Sequence, residues 1–351
     1  MNLTKLSKVL EKESAYRLKQ SKKAVFQDLI EDWNQATNLS LYLRKILNKE
    51  CPLSINGEFF ISKDKKTVKA LITLEDGLKV ESVLMKHKPR SRKSLAEQVR
   101  YRKEFSLRGG NRNTICVSSQ VGCPLGCKFC ATGKMGFKRN IEIFEIVEQV
   151  IFFARYLKKQ NERVTNVVFM GMGEPFLNYE NVISAIKILN DKEEFNLGAR
   201  KFSISTVGIT EGIKMLAEEK LQINLAISLH ASNNKLRSEL IPANKKYPIE
   251  KILKTVDDYI KKTKRRVMFE YLMIKDLNDS NESAKELVKL MKKPLYFVNL
   301  ISYNPTGDFQ PSSKERIKRF KNILEKKGVL ATERYRFGRE IKAACGQLAG
   351  K

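Results

Sequence analysis

The chain reads as an α/β protein whose larger part, residues 113–351, is a barrel or partial barrel of parallel strands. Three observations lead there. Beyond Cys116, short apolar runs alternate with helical stretches, as expected when helices cover the outer face of a parallel sheet. Residues 2–50 carry helical periodicity alone, and residues 57–86 break into short strand-like runs. A small helical-plus-hairpin accessory domain over 1–85 therefore precedes the barrel, and a length of 351 residues suits one large domain with such an appendage.

In chain order, the first segment opens with the charged helical start MNLTKLSKVLEKESAYRLKQ and continues through the apolar positions Leu41, Leu43, Ile46 and Leu47. The runs GEFFISKD, TVKALITLEDG and LKVESVLMK then form strands joined by turns containing Asp-Lys and Asp-Gly. Residues 86–112, KHKPRSRKSLAEQVRYRKEFSLRGGNR, are the densest basic segment, a connector containing Gly-Gly. Within it, Tyr101 and Phe105 could stack on unpaired bases; a solvated linker with one short basic helix is the equal alternative. Strands are expected at 114–118, 166–171, 202–207, 224–229, 267–274 and 296–302, with a further one at 334–337. Helices are expected near 142–159, 179–190, 211–220, 249–263, 280–292 and 313–327. Right-handed crossovers roll such a sheet into a barrel, and sites in barrels sit at the strand C-terminal ends.

The chemistry concentrates in Cys116–Gly136, CVSSQVGCPLGCKFCATGKMG. There Cys123, Cys127 and Cys130 form C-x3-C-x2-C, with Phe129 just before the last cysteine. Three thiolates this close in a glycine-containing loop can hold three corners of a cubic iron–sulfur cluster, leaving the fourth iron open to a small molecule. Structural zinc is the plain alternative, but such sites are almost always closed by four protein ligands, and no histidine lies nearby. Using three of the six cysteines this way suits a reducing compartment, and Cys51, in KECPLS, reads as a structural or incidental thiol. Gly171, Gly173 and Glu174 follow the apolar run TNVVFM directly. Glycines let the backbone approach a ligand closely, and a carboxylate can bind an ammonium group; alone, a strand-to-helix turn would explain them as well.

The C-x3-C-x2-C loop within CVSSQVGC…CKFCATG, the later MGMGEP at 170–175, and AACGQLAG at 343–350 together resemble the RlmN/Cfr family of radical S-adenosylmethionine (SAM) enzymes. The likeness runs from about Lys79 to the C-terminus. It implies a partial six-stranded (βα) radical SAM barrel, a [4Fe-4S] cluster on Cys123, Cys127 and Cys130, and SAM on the open iron. It also implies methylation of an adenosine in 23S ribosomal RNA and, for the RlmN type, in transfer RNA. By the same resemblance Gly173 and Glu174 bind SAM, with Ser205, Ser228, Leu229, His230 and Asn304 lining its pocket. Without the pattern, Ser205 and Ser228 would pass as ordinary loop caps.

The resemblance gives Cys345 and Cys116 their roles. One SAM methylates Cys345, a second yields a radical that takes hydrogen from the S-methyl group, and the resulting methylene adds to an electron-poor adenine carbon. Cys116 then attacks the Cys345 sulfur, leaving a transient Cys116–Cys345 disulfide that a reductant must reopen. Each cysteine has a plainer reading, Cys345 as a small buried hydrophobe and Cys116 as an inward strand residue. Glu81 corresponds to the family's suggested proton acceptor, although its separation from Cys116 is long here because the 86–112 connector departs from the usual shorter one. An electron-donor protein such as flavodoxin or ferredoxin is implied as a partner. A second departure is that the chain stops six residues after Cys345, where many relatives carry a basic tail, so C-terminal RNA contacts are expected to be missing.

The formal net charge of +28 points to a polyanionic partner, with nucleic acid the default. A basic 1–85 domain would then contact RNA phosphates, setting position without reading bases. No apolar run approaches the length of a spanning helix and the N-terminus lacks a signal-peptide pattern, so a cytoplasmic location and no membrane partner are expected, with a monomer the simplest state. A Lys-rich bias that merely keeps the protein dissolved would explain scattered lysines, less well their clustering. The preferred reading within the resemblance is methylation at C2 of a peptidyl-transferase-centre adenosine and of one in the tRNA anticodon loop, since housekeeping enzymes are the commoner kind. Three readings compete with it: a Cfr-like C8 methyltransferase conferring antibiotic resistance, a radical SAM activase of a partner protein, and a metal-stapled RNA-binding protein without catalysis.

Overall fold

A computed structural model describes residues 1, 3–87, 111–307, 309–334, 338 and 340–350. Most of the basic connector, with Tyr101 and Phe105, therefore lies outside the described residues.

The N-terminal helices α1 (Leu6–Val9), α2 (Ala15–Phe26) and α3 (Leu41–Glu50) close over Trp33, which is fully buried. Its indole Nε1 donates to the carbonyl of Cys51 at 2.7 Å, so the polar edge of this side chain is satisfied inside an apolar shell. Ser40 caps α3 by accepting from the amide of Leu43. Cys51 is itself buried, and burial pushes its thiol up to about 11, which fits a structural and inert cysteine.

Strands β1 (Gly57–Ile61), β2 (Thr67–Thr73) and β3 (Lys79–His87) form the expected antiparallel meander. They are followed by β4 (Arg112–Val117), which pairs with β3 antiparallel and places Val83 opposite Cys116. The meander thus continues directly into the barrel sheet. From β4 the sheet runs parallel through β7 (Asn166–Phe169), β8 (Phe202–Thr206), β9 (Asn224–Ser228), β10 (Val267–Met273), β11 (Tyr296–Ser302) and β12 (Ala331–Glu333). Among the described residues its ten strands end at β1 and β12 without pairing to each other, as in a partial barrel. A separate antiparallel pair, β5 (Gln120–Gly122) and β6 (Phe137–Asn140), brackets the cysteine loop and the short helix α4 (Ala131–Lys134).

Helices α5 (Ile143–Lys158), α6 (Tyr179–Asn190), α7 (Thr210–Glu218), α9 (Ile249–Thr263), α10 (Asn281–Met291) and α11 (Lys314–Lys326) follow β4, β7, β8, β9, β10 and β11, which makes six strand–helix units. A short α8 (Asn234–Leu240), polar in sequence and not foreseen, stands between β9 and α9. Helix α5 starts with a capping box between Glu142 and Glu145 and buries Ile146, Val150, Phe153 and Leu157 against the sheet. From its far side Arg155 donates to the carbonyls of Leu53, at 2.9 Å, and Ile30, tying the N-terminal helices onto the barrel.

One strand differs from expectation. The strand foreseen at 334–337 stands at Ala331–Glu333, paired with Val298–Leu300; residues 335–337 lie outside the described set. Its sequence Ala-Thr-Glu has no apolar alternation, because an edge strand is held by hydrogen bonds to its one neighbour rather than by buried faces.

Candidate active site

The functional side chains gather at the C-terminal ends of the parallel strands, where the chain turns outward and its polar groups are free to face the barrel mouth. The loop after β5 carries Cys123, Cys127 and Cys130, and backbone hydrogen bonds hold it. The amide of Cys123 donates to Gly136 at 2.9 Å, that of Lys128 to Leu240 at 3.0 Å and that of Cys130 to Cys127 at 3.0 Å. Burial raises the Cys123 thiol to about 12 despite a hydrogen bond from the Leu125 amide, and burial, then the Cys130 thiol, push Cys127 still higher. Burial thus favours the neutral thiols of Cys123 and Cys127, and iron would invert that preference by taking the thiolates. Among the described residues no three His, Cys, Asp or Glu side chains converge on a single-ion site. A cubic cluster, by contrast, takes each thiolate on a different iron.

Gly173 and Glu174 stand beside this loop. Gly173 has φ +95°, and a Cβ there would lie 2.5 Å from Cβ of Gln120, so both the conformation and the close approach require glycine. The Glu174 carboxylate is buried, with one oxygen accepting from the amide of Phe176 at 3.1 Å and the other from that of Val207 at 2.9 Å. Burial raises its carboxyl to about 7. The Thr206 side chain also donates to this carboxylate, which leaves only part of its accepting capacity for a cation.

Across the mouth, Ser205 donates to Glu270 at 2.7 Å and lies 3.3 Å from the Ser228 hydroxyl. Leu229 and His230 both donate their amides to the carbonyl of Glu270. The His230 ring meets Phe129 edge-on, with centroids 4.9 Å apart, and its Nδ1 accepts from the amide of Leu272. Burial, then Arg237, drives its pKa down to about 3, so this imidazole is neutral and packs the cysteine loop against β9. Asn304 is buried after β11 and donates to the carbonyl of Cys345 at 3.4 Å.

Cys345 reaches the barrel on a C-terminal segment pinned at several points. Gly346 accepts from the amide of Ala131 at 2.7 Å, and Leu348 accepts from the Thr132 hydroxyl at 2.7 Å. Oε2 of Glu81 accepts from the amides of Ala349, at 2.6 Å, and Gly350, at 3.2 Å. Cys345 and Cys116 consequently line one cavity of about 30 Å³, with Val83, Met170, Asn304 and Arg334. Burial, then the neighbouring Cys345, pushes the Cys116 thiol up to about 12. Glu81 sits two positions from Val83 on the face that Cys116 shares, so the sheet removes the long separation seen in sequence. It lies outside the cavity, however, and its Oε1 is paired with Lys69 at 2.6 Å in a buried ion pair.

Three charged residues around this site escaped the sequence reading. Glu270 could have been found, since a carboxylate inside the apolar strand VMFEYLM is costly unless paired. Arg334, which pairs with it at 3.1 Å, carries no such signal in a chain with 67 lysines and arginines. Arg237, in the polar helix α8, is fully buried and donates to the carbonyls of Val207, Ser228, Leu229 and Tyr247 and to the side chain of Asn244.

The fold and the three-cysteine loop define a radical SAM enzyme, and residues 117–291 match the family model described as the Radical SAM superfamily. That class carries a [4Fe-4S] cluster and SAM. The chain is 46% identical over 338 residues to the probable dual-specificity RNA methyltransferase RlmN of Dictyoglomus turgidum, covering 96% of this chain and 91% of that one. It is 50% identical over 289 residues to the ribosomal RNA large subunit methyltransferase N of Nitrosopumilus maritimus, covering 82% and 78%. A crystal structure of a radical SAM methyltransferase from Sphaerobacter thermophilus superposes with TM-score 0.89 at 39% identity, over 100% of this chain and 98% of that one. The chain belongs to the RlmN family of radical SAM RNA methyltransferases. Among the described residues no helix is long and apolar enough to cross a membrane.

Proposed function

We propose that this enzyme methylates C2 of an adenosine in the peptidyl-transferase centre of 23S rRNA and of one in the anticodon loop of tRNA, through S-methylated Cys345 and a transient Cys116–Cys345 disulfide. The single observation that carries this reading is that Cys116 and Cys345, 229 positions apart in sequence, line one cavity next to the cysteine loop. An amidine carbon is no nucleophile, so a methyl group cannot pass to it directly from SAM. A thiol can take that methyl group by displacement and present it again in another form.

Cys123, Cys127 and Cys130 hold the cluster, and Gly173, Glu174, Ser205, Ser228, Leu229, His230 and Asn304 shape the SAM pocket. The bound pair supplies one electron and a hydrogen-abstracting carbon radical. Cys345 carries the methyl carbon to the adenine ring. To release the product, the Cys116 thiolate forms a bond to the Cys345 sulfur while the S–CH2 bond breaks. The electron pair of that bond, with a proton, completes the RNA methyl group. A cavity of about 30 Å³ holds roughly one water and no adenine, so the C-terminal segment must lift as RNA enters. Glu81 then serves as proton acceptor, since the departing amides of Ala349 and Gly350 free its Oε2. Two SAM molecules are used per turnover, a flavodoxin- or ferredoxin-like protein supplies the electron, and the enzyme works as a cytoplasmic monomer. Residues 1–85 form an accessory domain that sets the RNA by phosphate contacts, and residues 86–112 link it to the catalytic domain over 113–351.

The test is anaerobic reconstitution followed by mass spectrometry of ribosomal and transfer RNA. C2-methyladenosine in both is expected, C8-methyladenosine as the main product overturns the assignment, and SAM cleavage without RNA methylation favours an activase. A second expectation concerns Glu174. Its carboxyl titrates near 7, so the ionised form that can pair with the SAM ammonium is lost as pH falls. SAM affinity measured by equilibrium binding should drop about tenfold from pH 8 to pH 6. Glu174→Gln should bind weakly and show no such slope; a wild-type slope in the variant would remove Glu174 from the pocket.

A further inference from the structure

Arg334 follows β12 and donates its amide to the carbonyl of Leu300 at 2.9 Å, which aims its side chain back into the barrel. The guanidinium lies 3.1 Å from Oε1 of Glu270, and both terminal nitrogens lie 3.4 Å from Sδ of Met170. The side chain is 21% exposed, against 5% for Glu270. It lines the same cavity as Cys116 and Cys345. The groups that face this cation are therefore Glu270 on β10, Cys116 on β4 and Cys345 on the C-terminal segment. Nearness to Cys345 is the largest influence holding the guanidinium charged, ahead of the opposing effect of burial, with Glu270 and Cys116 adding to it.

We propose that Arg334 is the positioning cation for both thiols, holding Cys345 as a thiolate while it takes the methyl group and Cys116 as a thiolate while it attacks. This rests on the reading of Cys345 and Cys116 given above. Both steps need the anion, and burial works against it: the Cys116 thiol stands at about 12 even with Arg334 beside it. One cation suffices because the two demands fall in sequence. In the first step the Cys345 thiol has lost its proton to solvent and its sulfur bonds to the methyl carbon. The bond from that carbon to the SAM sulfonium breaks, and its electron pair stays on the departing sulfur. Cys345 is then a neutral thioether, which leaves Arg334 with Glu270 and one unmet thiol, that of Cys116. In the second step the S–S bond forms, the S–CH2 bond breaks, and the released pair with a proton ends on the RNA carbon. An external dithiol then reduces the disulfide.

The experiment uses the reconstituted full chain and follows iodoacetamide alkylation peptide by peptide, reading the Cys345 midpoint between pH 6 and pH 10 in each variant and, for Cys116, whose thiol stands at about 12, the rate at pH 10. Arg334→Gln should move the Cys345 midpoint up by about one unit and slow its alkylation at pH 7.5 about tenfold, with Arg334→Lys restoring most of the rate. Glu270→Gln keeps the cation and removes the carboxylate that competes for it, so it should move the midpoint down. Loss of stability alone would expose the thiols in both variants and could not give opposite signs. Unchanged midpoints, or shifts of the same sign in Arg334→Gln and Glu270→Gln, overturn the proposal. SAM-dependent methylation of Cys345 without RNA is scored in parallel. If wild-type Cys345 gains no methyl group, the functional reading fails, whereas a methylated Cys345 with unmoved midpoints sinks Arg334 alone.

Discussion

Cys345→Ala is expected to lower RNA methylation by at least ~10⁴-fold, as removal of a covalent catalyst does when no other group can carry the intermediate. Cys116→Ala should fail differently. Cys345 remains able to take the methyl group and to join RNA, but nothing on the cavity wall can attack its sulfur: among the described residues the other cysteines are the three of the loop and Cys51, buried beneath Trp33. A covalent protein–RNA adduct should therefore accumulate in Cys116→Ala, resistant to denaturant on a gel and absent from Cys345→Ala. The contrast between two variants of one cavity is more informative than either loss of activity, since a damaged fold would erase both products. Full RNA methylation by Cys345→Ala would end the methyl-cysteine route.

The second large effect lies at Arg237. Its guanidinium is wholly buried and gathers the ends of β8 and β9, donating to Val207, Ser228 at 3.2 Å and Leu229 at 3.1 Å, and then to Asn244 at 2.7 Å and Tyr247 at 3.0 Å in the following turn. Arg237→Met fills nearly the same space but leaves several buried acceptors without a donor. Each such group costs about 1–3 kcal/mol, less what the loops regain by relaxing, so a net loss of ~4 kcal/mol is expected. Because Ser228 and Val207 border the proposed SAM pocket, SAM affinity should fall with it. Urea unfolding of wild type and variant, with SAM binding measured below the transition, checks both; a stability change under ~1 kcal/mol would mean that water satisfies those carbonyls.

How much was legible beforehand follows from how local each signal is. The six strand–helix units announce themselves because a buried parallel strand must be apolar throughout and its covering helix must be amphipathic; β8, β10 and β11 stand where their apolar runs do. The cluster loop was legible for a chemical reason: three ligands on one rigid object must be close in sequence or be placed there by the fold, and here they are close. Edge strand β12 lacked a pattern, and the seven-residue α8 buries only Arg237 and Leu240, too short a run to show a helical apolar stripe.

By itself the sequence determined the barrel class, the cluster cysteines, and, through three motifs spread over the chain, the family. Those features rest on residue types and short spacings, which survive without knowledge of the fold. Only the tertiary structure decided which distant groups meet. The antiparallel register of β3 on β4 sets Glu81 two residues from the partner of Cys116, across a connector that hid the relation. The pinned C-terminal segment lays Cys345 in the cavity of Cys116, and the crossing from β10 to β12 puts Glu270 and Arg334 behind both thiols. Long-range pairings of this kind are fixed by sheet order and burial, and a buried charge such as Glu270 is tolerated only because the fold supplies its partner.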